Sequence, residues 1–232
     1  MDLIWQGFVE ALKLLFGGNA DVYQVALRSL WVSTLALAVA SLLGVPLGAA
    51  LALNRFPGRR LAIAVVNTGM GVPPVVVGLV VAMLLARNGP LGALRLLYTP
   101  SAMVVAQVLI ALPIVAGLAS AALQQLDPGY RLQVKALGAG RTRGVALLLR
   151  EVQVPLLAAL MAAFGGVISE VGAVMMVGGN IQGQTQVLTT GIVQQTRAGQ
   201  YAAAIALSII LLMLVFATNL AMTLIQQRGR HG

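Results

Sequence analysis

DPGYRLQVKALGAGRTRGVALLLREVQVP, residues 127–155, is the longest part of this chain that does not look like membrane. It holds five of the fifteen Lys and Arg residues: Arg131, Lys135, Arg141, Arg143 and Arg150. Asp127 suits a helix N-cap and Pro128 the first helical turn. The pattern predicts a short helix ending at a break between Gly138 and Gly140. On that helix Tyr130, Val134 and Leu137 share one face, and Arg131 and Lys135 another. It is too short to span a bilayer. It can lie at the cytoplasmic surface and press its apolar face into a groove on another protein. A solvated loop whose positive charge only sets topology is the competing reading.

Outside this stretch the composition decides the class. Hydrophobic residues make up 59% and charged residues 9%, and the mean hydropathy is +0.92. These values predict an all-α integral membrane protein. Apolar runs of about 20 residues read as spanning helices, and alternating strands of a barrel are absent. The chain has no cysteine, so neither disulfides nor a Cys metal cluster is expected. The net charge of +9 is assigned to positive-inside topology rather than to nucleic acid. The single histidine, His231, sits in a polar tail, and the start of the chain lacks the basic residues of a cleaved signal peptide.

Residues 2–17 are amphipathic, and Trp5 and Phe8 suit an interfacial helix or a packed surface helix. Five spans are expected, over about 22–53, 61–86, 101–124, 147–177 and 200–225, in one domain. Gly44-Val45-Pro46-Leu47-Gly48 predicts a kink or loosening in the first. Gly44/Gly48 and Gly165/Gly166 would permit close helix packing. Residues 127–146 form the loop between the third and fourth spans, and residues 178–197 read as a polar, glycine-rich loop. With 127–155 inside, cytoplasmic segments hold ten Lys and Arg and outer segments five. That places the N-terminus outside and the C-terminus in the cytoplasm.

Enzyme chemistry is not legible: there is no Ser/His/Asp set, no metal-ligand cluster and no P-loop. No cofactor is expected in this chain, and an ATP-driven process would need a separate ATPase. In the second span Asn67-Thr68-Gly69-Met70-Gly71-Val72-Pro73-Pro74 interrupts the apolar run. Irregular backbone at membrane depth is tolerated only where protein or a watery cavity covers it, so this is a candidate pathway kink. Glu170 is the only acid deep in a span. It reads as a gate residue or as a carboxylate bonded to backbone. Gln107 is a weaker candidate of the same kind. In the outer loop Asn180, Thr185, Thr189 and Thr190 could bind or pass oxyanions, or could cap helices.

The run 135–155 resembles the cytoplasmic coupling loop of binding-protein-dependent ABC importer permeases, whose pattern is E-A-A-x3-G-x9-I-x-L-P. Lys135, Ala136, Leu137, Gly138 and Ala139 fit its centre. Leu132-Gln133-Val134 stands where E-A-A is expected, and Pro155 comes four residues late. Further likeness lies in Asn67-Thr68 through Pro73-Pro74-Val75-Val76-Val77-Gly78-Leu79, in Ser169-Glu170-Val171-Gly172-Ala173, and in Val177-Gly178-Gly179-Asn180-Ile181 with Leu188-Thr189-Thr190. Together these resemble the tungstate permeases, close relatives of the molybdate permeases, over residues 22–226.

The resemblance implies a type I ABC importer permease fold in the bacterial inner membrane, surrounded by lipid. It implies a homodimer, two ATPase subunits binding ATP and Mg at the cytoplasmic face, and a periplasmic or lipid-anchored binding protein. By the same carry-over Tyr130 to Arg143 couple to the ATPase, Gly69 to Pro73 and Glu170 lie at the inner gate, and Asn180 to Thr190 near the outer gate. Molybdate, sulfate or phosphate are alternative cargoes. A stand-alone channel or secondary transporter, and a membrane scaffold without cargo, are rival classes.

Overall fold

The computed structural model describes residues 2–17, 20–138 and 140–228. Gly18, Asn19, Ala139, His231 and the rest of the tail lie outside the described residues, as does the side chain of Lys135. Among the described residues, three helices are long and apolar enough to cross a membrane: α2 (Ala20–Leu53), α5 (Pro100–Gln124) and α11 (Tyr201–Arg228). Two bent pairs join them. α3 (Arg59–Gly71) and α4 (Pro74–Leu85) meet at 101°, and α7 (Arg141–Glu151) and α8 (Gln153–Ile168) at 75°. The remaining helices are α1 (Asp2–Phe16), α6 (Pro128–Ala136), α9 (Gly172–Gly178) and α10 (Leu188–Arg197).

Four expectations change. The second span is not a kinked rod but a right-angle bend, because two consecutive prolines remove the N–H groups that would carry α3 onward. The fourth is broken at Val152 and again at Ser169–Val171, so residues 147–177 form three helices. By contrast, α2 stays helical through Gly44–Gly48, with Pro46 inside it. At about 1.5 Å per residue its 34 residues span roughly 51 Å, well beyond the hydrocarbon thickness. The fourth change is α10, a helix where composition suggested only loop.

Small residues set the packing. α2 lies along α5, where a Cβ on Gly48 would sit 2.5 Å from Ala116 O and 2.9 Å from Ala119 Cβ. Lipid is as apolar as a side chain, so such close van der Waals approach holds helices together in a membrane. Gly165 and Gly166 do not act this way: a Cβ on either meets nothing within 4 Å, and Gly166 is exposed. One core layer joins Val32, Met103, Val174 and Val177, and a second joins Ala49, Leu123, Val134 and Leu148. α1 packs along α11, with Gly7 against Ile205 and Ala11 buried, while Trp5 and Phe8 stay exposed and stacked on each other.

Basic side chains close several helix ends, where unpaired carbonyls concentrate negative partial charge. Arg59 Nε donates to Leu51 O at 2.6 Å, and Asn54 Nδ2 donates to Ala50 O at 3.1 Å, both at the end of α2. Arg131 donates to Leu123 O near the end of α5.

Candidate functional site

Two features stand out: a place where two helix breaks meet, and the elbow formed by α6 and α7. The first break separates α3 from α4. Val72 N–H still reaches Gly69 O at 3.4 Å, and Val76 and Val77 N–H both donate to Pro73 O. The second separates α8 from α9 at Ser169-Glu170-Val171. Glycines bring the breaks into contact. A Cβ on Gly172 would lie 2.5 Å from Val75 Cγ2, and one on Gly78 would lie 2.5 Å from Ala173 Cα.

The polar groups released at the second break find partners inside the chain. Glu170 Oε1 accepts from Ala173 N–H at 3.0 Å, closing the start of α9. Thr189 Oγ1 donates to Glu170 O at 3.0 Å, and Gln107 Nε2 donates to Val167 O at 2.8 Å. Gln107 is 3% exposed, so it braces the break from behind and does not line an open surface. The Glu170 carboxylate likewise holds backbone, which is one of the two roles the sequence leaves open for it.

The first break is bare. α3 has no buried residue, and Asn67, Thr68, Gly71 and Pro73 are all exposed, with Gly69 and Pro74 partly covered. Below it, Asn67 shares a cavity of about 400 Å³ with Ser120, Gln124 and Gln125, a set of uncharged donors and acceptors. The structure thus joins Gly71–Pro74 to Glu170 across the Val75–Gly172 contact. Asn67 and Thr68 lie further along α3, and Gln107 is behind the break.

Residues 178–197 form a folded cap rather than an open loop. Thr185 Oγ1 donates to Gly178 O at 2.5 Å and accepts from Ile181 N–H at 2.9 Å. Thr190 Oγ1 accepts from Val187 N–H at 3.0 Å, and Ser29 Oγ accepts from Leu188 N–H at 2.8 Å, which together start α10. Thr185, Thr189 and Thr190 are buried, and their hydroxyls are held within the fold. Asn180 Nδ2 donates to Gln194 Oε1 at 2.9 Å. Arg28, the one basic residue inside α2, donates to Gly183 O and Gln186 O, each at 2.8 Å. A lone arginine in a 34-residue apolar helix is a signal in its own right. Charge counting alone assigns it only a side of the membrane.

In the elbow, Asp127 Oδ1 accepts from Gly129 N–H at 2.5 Å, and Gly138, at φ 73°, ends α6 in the left-handed region. The expected apolar face of α6 is divided. Val134 is 7% exposed and packs with Ala49, Leu123 and Leu148 of its own chain, joined by Tyr130. Leu137 is 86% exposed and Leu132 66%. Leu137 follows the last helical turn, so the change of direction toward Gly138 swings it away from the Tyr130–Val134 stripe. Burial, then a hydrogen bond to Glu151 and its charge, raise the Tyr130 hydroxyl above its ordinary value of 10.0. Arg131 is tied to α5, Arg141 Nη2 donates to Asn54 Oδ1 at 3.2 Å, and Arg143 and Ala136 are exposed.

Residues 44–231 match the family described as binding-protein-dependent transport system inner membrane component. The chain is 41% identical over 227 residues, 98% of its own length and 100% of the relative, to the tungstate uptake system permease protein TupB of Peptoclostridium acidaminophilum. It is also 41% identical over 211 residues, covering 88% of the chain and 91% of the relative, to a probable anion ABC transporter permease protein of Haloferax volcanii. Among solved structures, a chain of the inward-facing MetNI methionine ABC transporter superposes with TM-score 0.75 at 18% identity, covering 92% of this chain and 98% of that one. That likeness identifies the fold as the one used by a type I ABC importer permease. The chain is a multi-pass membrane protein and belongs to the family of binding-protein-dependent transport system inner membrane components.

Proposed function

We propose that this chain is the permease subunit of an ATP-driven oxyanion importer, with tungstate as its first cargo. Two copies enclose the pathway, a separate ATPase grips the elbow from the cytoplasm, and a binding protein delivers the anion outside. The observation that carries the reading is the bare first break. A helix with no buried residue, bearing Asn67 and Thr68 and ending at Val72-Pro73, needs a protein or watery partner at membrane depth. A second copy of α3 around a shared pathway supplies both. The 41% identity to a tungstate permease over 98% of the chain supports the cargo.

The chemistry suits a tetrahedral dianion. Asn67, Ser120, Gln124 and Gln125 offer neutral hydrogen-bonding groups that can pass an anion without trapping it. Glu170 would repel such cargo if free, but its carboxylate is engaged by Ala173 N–H. Leu137 and Leu132 are the apolar contacts offered to the ATPase, and Arg143 is an exposed charge on the same elbow, while Tyr130 and Val134 carry any displacement into α2, α5 and α7. With this elbow inside, the N-terminus is outside and the C-terminus is cytoplasmic.

The test is reconstitution of the permease with its ATPase and binding protein in liposomes, assayed with tungstate, molybdate, sulfate and phosphate. Nucleotide-dependent uptake led by tungstate is expected. Uptake led by another oxyanion reassigns the cargo, and uptake by the purified chain without nucleotide overturns the importer reading.

A further inference from the structure

A cavity of about 570 Å³ opens beside the elbow, between the inner end of α2, α6 and the start of α7. Its floor is apolar, from Pro46, Ala49, Ala50 and Leu53 on α2 with Val145 and Leu148 on α7. Its mouth is polar, from Asn54, Arg131 and Arg141. Pro46 lies eight residues before Asn54, which directly follows the end of α2, so the apolar floor reaches about 12 Å in from the mouth. That gradient runs along a membrane-crossing helix, from hydrocarbon depth to the interface.

The charge is of one sign. The lining holds two guanidinium groups and no Asp or Glu. The acids near it are engaged elsewhere: Glu151 with Tyr130, and Asp127 with Gly129 N–H. Arg131 Nη2 is fixed on Leu123 O, while its Nε is shut from solvent and finds no acceptor among the described residues. Arg141 is held at the mouth by Asn54. Gly140 begins α7 without a side-chain cap, so the first N–H groups of that helix add to the positive end. Preplaced guanidinium groups around an apolar slot match a phosphodiester head joined to an acyl chain.

We propose that this cavity is a binding site for an anionic phospholipid of the inner leaflet, with the phosphate held between Arg131 and Arg141 and one acyl chain along α2 from Ala50 to Pro46. The inner-leaflet assignment rests on the orientation proposed above, and the site itself does not. Because Arg131 and Val134 belong to the coupling elbow, the lipid would brace that elbow against α2. It makes anionic lipid a structural component of the elbow.

The experiment is native mass spectrometry of the purified permease from nanodiscs containing phosphatidylglycerol and phosphatidylcholine in equal amounts. Wild type should retain phosphatidylglycerol in preference to phosphatidylcholine. Arg141→Gln should reduce that preference about fivefold, the contribution expected of one basic side chain at a membrane surface. Arg131→Gln could disturb the elbow, so Ala50→Trp provides an independent arm, filling the slot without altering charge. It should abolish retention while gel filtration stays normal. Equal retention by wild type and Ala50→Trp would overturn the site, as would retention of both lipids alike. Displacement of the lipid by millimolar inorganic phosphate would overturn the lipid assignment and point to a free anion. A permease that retains phosphatidylglycerol yet moves no oxyanion would leave this site standing while removing the transport reading.

Discussion

Gly172 of α9 and Val75 of α4 touch so closely that a single added carbon on Gly172 would come within 2.5 Å of Val75 Cγ2. This contact joins the two helix breaks and makes one site of two irregular segments far apart in sequence. Gly172→Ala should therefore lower stability by about 1–3 kcal/mol through overpacking. Adding Val75→Ala should restore most of it, since the obstructing methyl is removed. Thermal midpoints of the two single variants and the double variant check this, and strict additivity would refute the contact as the cause.

Gln107 is the buried brace of the second break. Gln107→Leu removes its donor to Val167 O and should cost about 1–3 kcal/mol, because a buried carbonyl loses a partner. Uptake should fall with stability, although the side chain has no exposed surface. Unchanged midpoint and uptake would remove Gln107 from the site.

Glu170 separates charge from hydrogen bonding. Glu170→Gln keeps an oxygen that can accept from Ala173 N–H, so stability should change by less than about 1 kcal/mol. Glu170→Ala loses the acceptor and should cost about 1–2 kcal/mol. If Glu170→Gln alone abolishes uptake in a stable dimer, the negative charge itself acts in gating.

In the elbow, Leu137 and Val134 make opposite predictions. Leu137→Asp should leave the fold intact and weaken ATPase binding by at least tenfold, or about 1.4 kcal/mol. Val134→Asp should destabilise the permease by about 2 kcal/mol or more, since a carboxylate would enter its own core. Normal ATPase recovery with Leu137→Asp would refute the docking surface.

Tyr130 supplies a pH dependence. Its hydroxyl is held above the ordinary value of 10.0, so the folded state favours the neutral form. The stability this contributes is complete below about pH 10 and is lost as pH rises through the raised value. The thermal midpoint should fall over that alkaline window in wild type, and fall less in Tyr130→Phe. Identical profiles would remove the Tyr130–Glu151 bond as a clasp.

Membrane class and the three long helices were legible because hydrophobic runs of sufficient length have few other uses. The proline pair at 73–74 announced a disruption, and Gly138 announced a turn, since each restricts backbone directly. The 101° angle was not legible, because it depends on where α4 finds Gly172 and Ala173. α10 was hidden because Leu188–Arg197 is rich in Thr, Gln and Gly; capping by Thr190 and Ser29 and packing on α11 override that weak propensity. Periodicity groups Tyr130, Val134 and Leu137, but says nothing about which neighbour covers them. The same holds for Gly165 and Gly166, whose small size permits a close approach that α8 does not make within the chain.

The Arg28 clamp leaves the cap at residues 178–197 with little travel of its own. Moving residues 183–186 away from α2 would break two charge-assisted hydrogen bonds, each worth about 1.5–3 kcal/mol. Displacing the cap would therefore pull on a rod about 51 Å long, meshed with α5 at Gly48. α5 in turn bears Gln107 behind the second break and Leu123 above the elbow. A load on residues 183–186 would thus meet packed helices and hydrogen bonds along the whole way to the elbow.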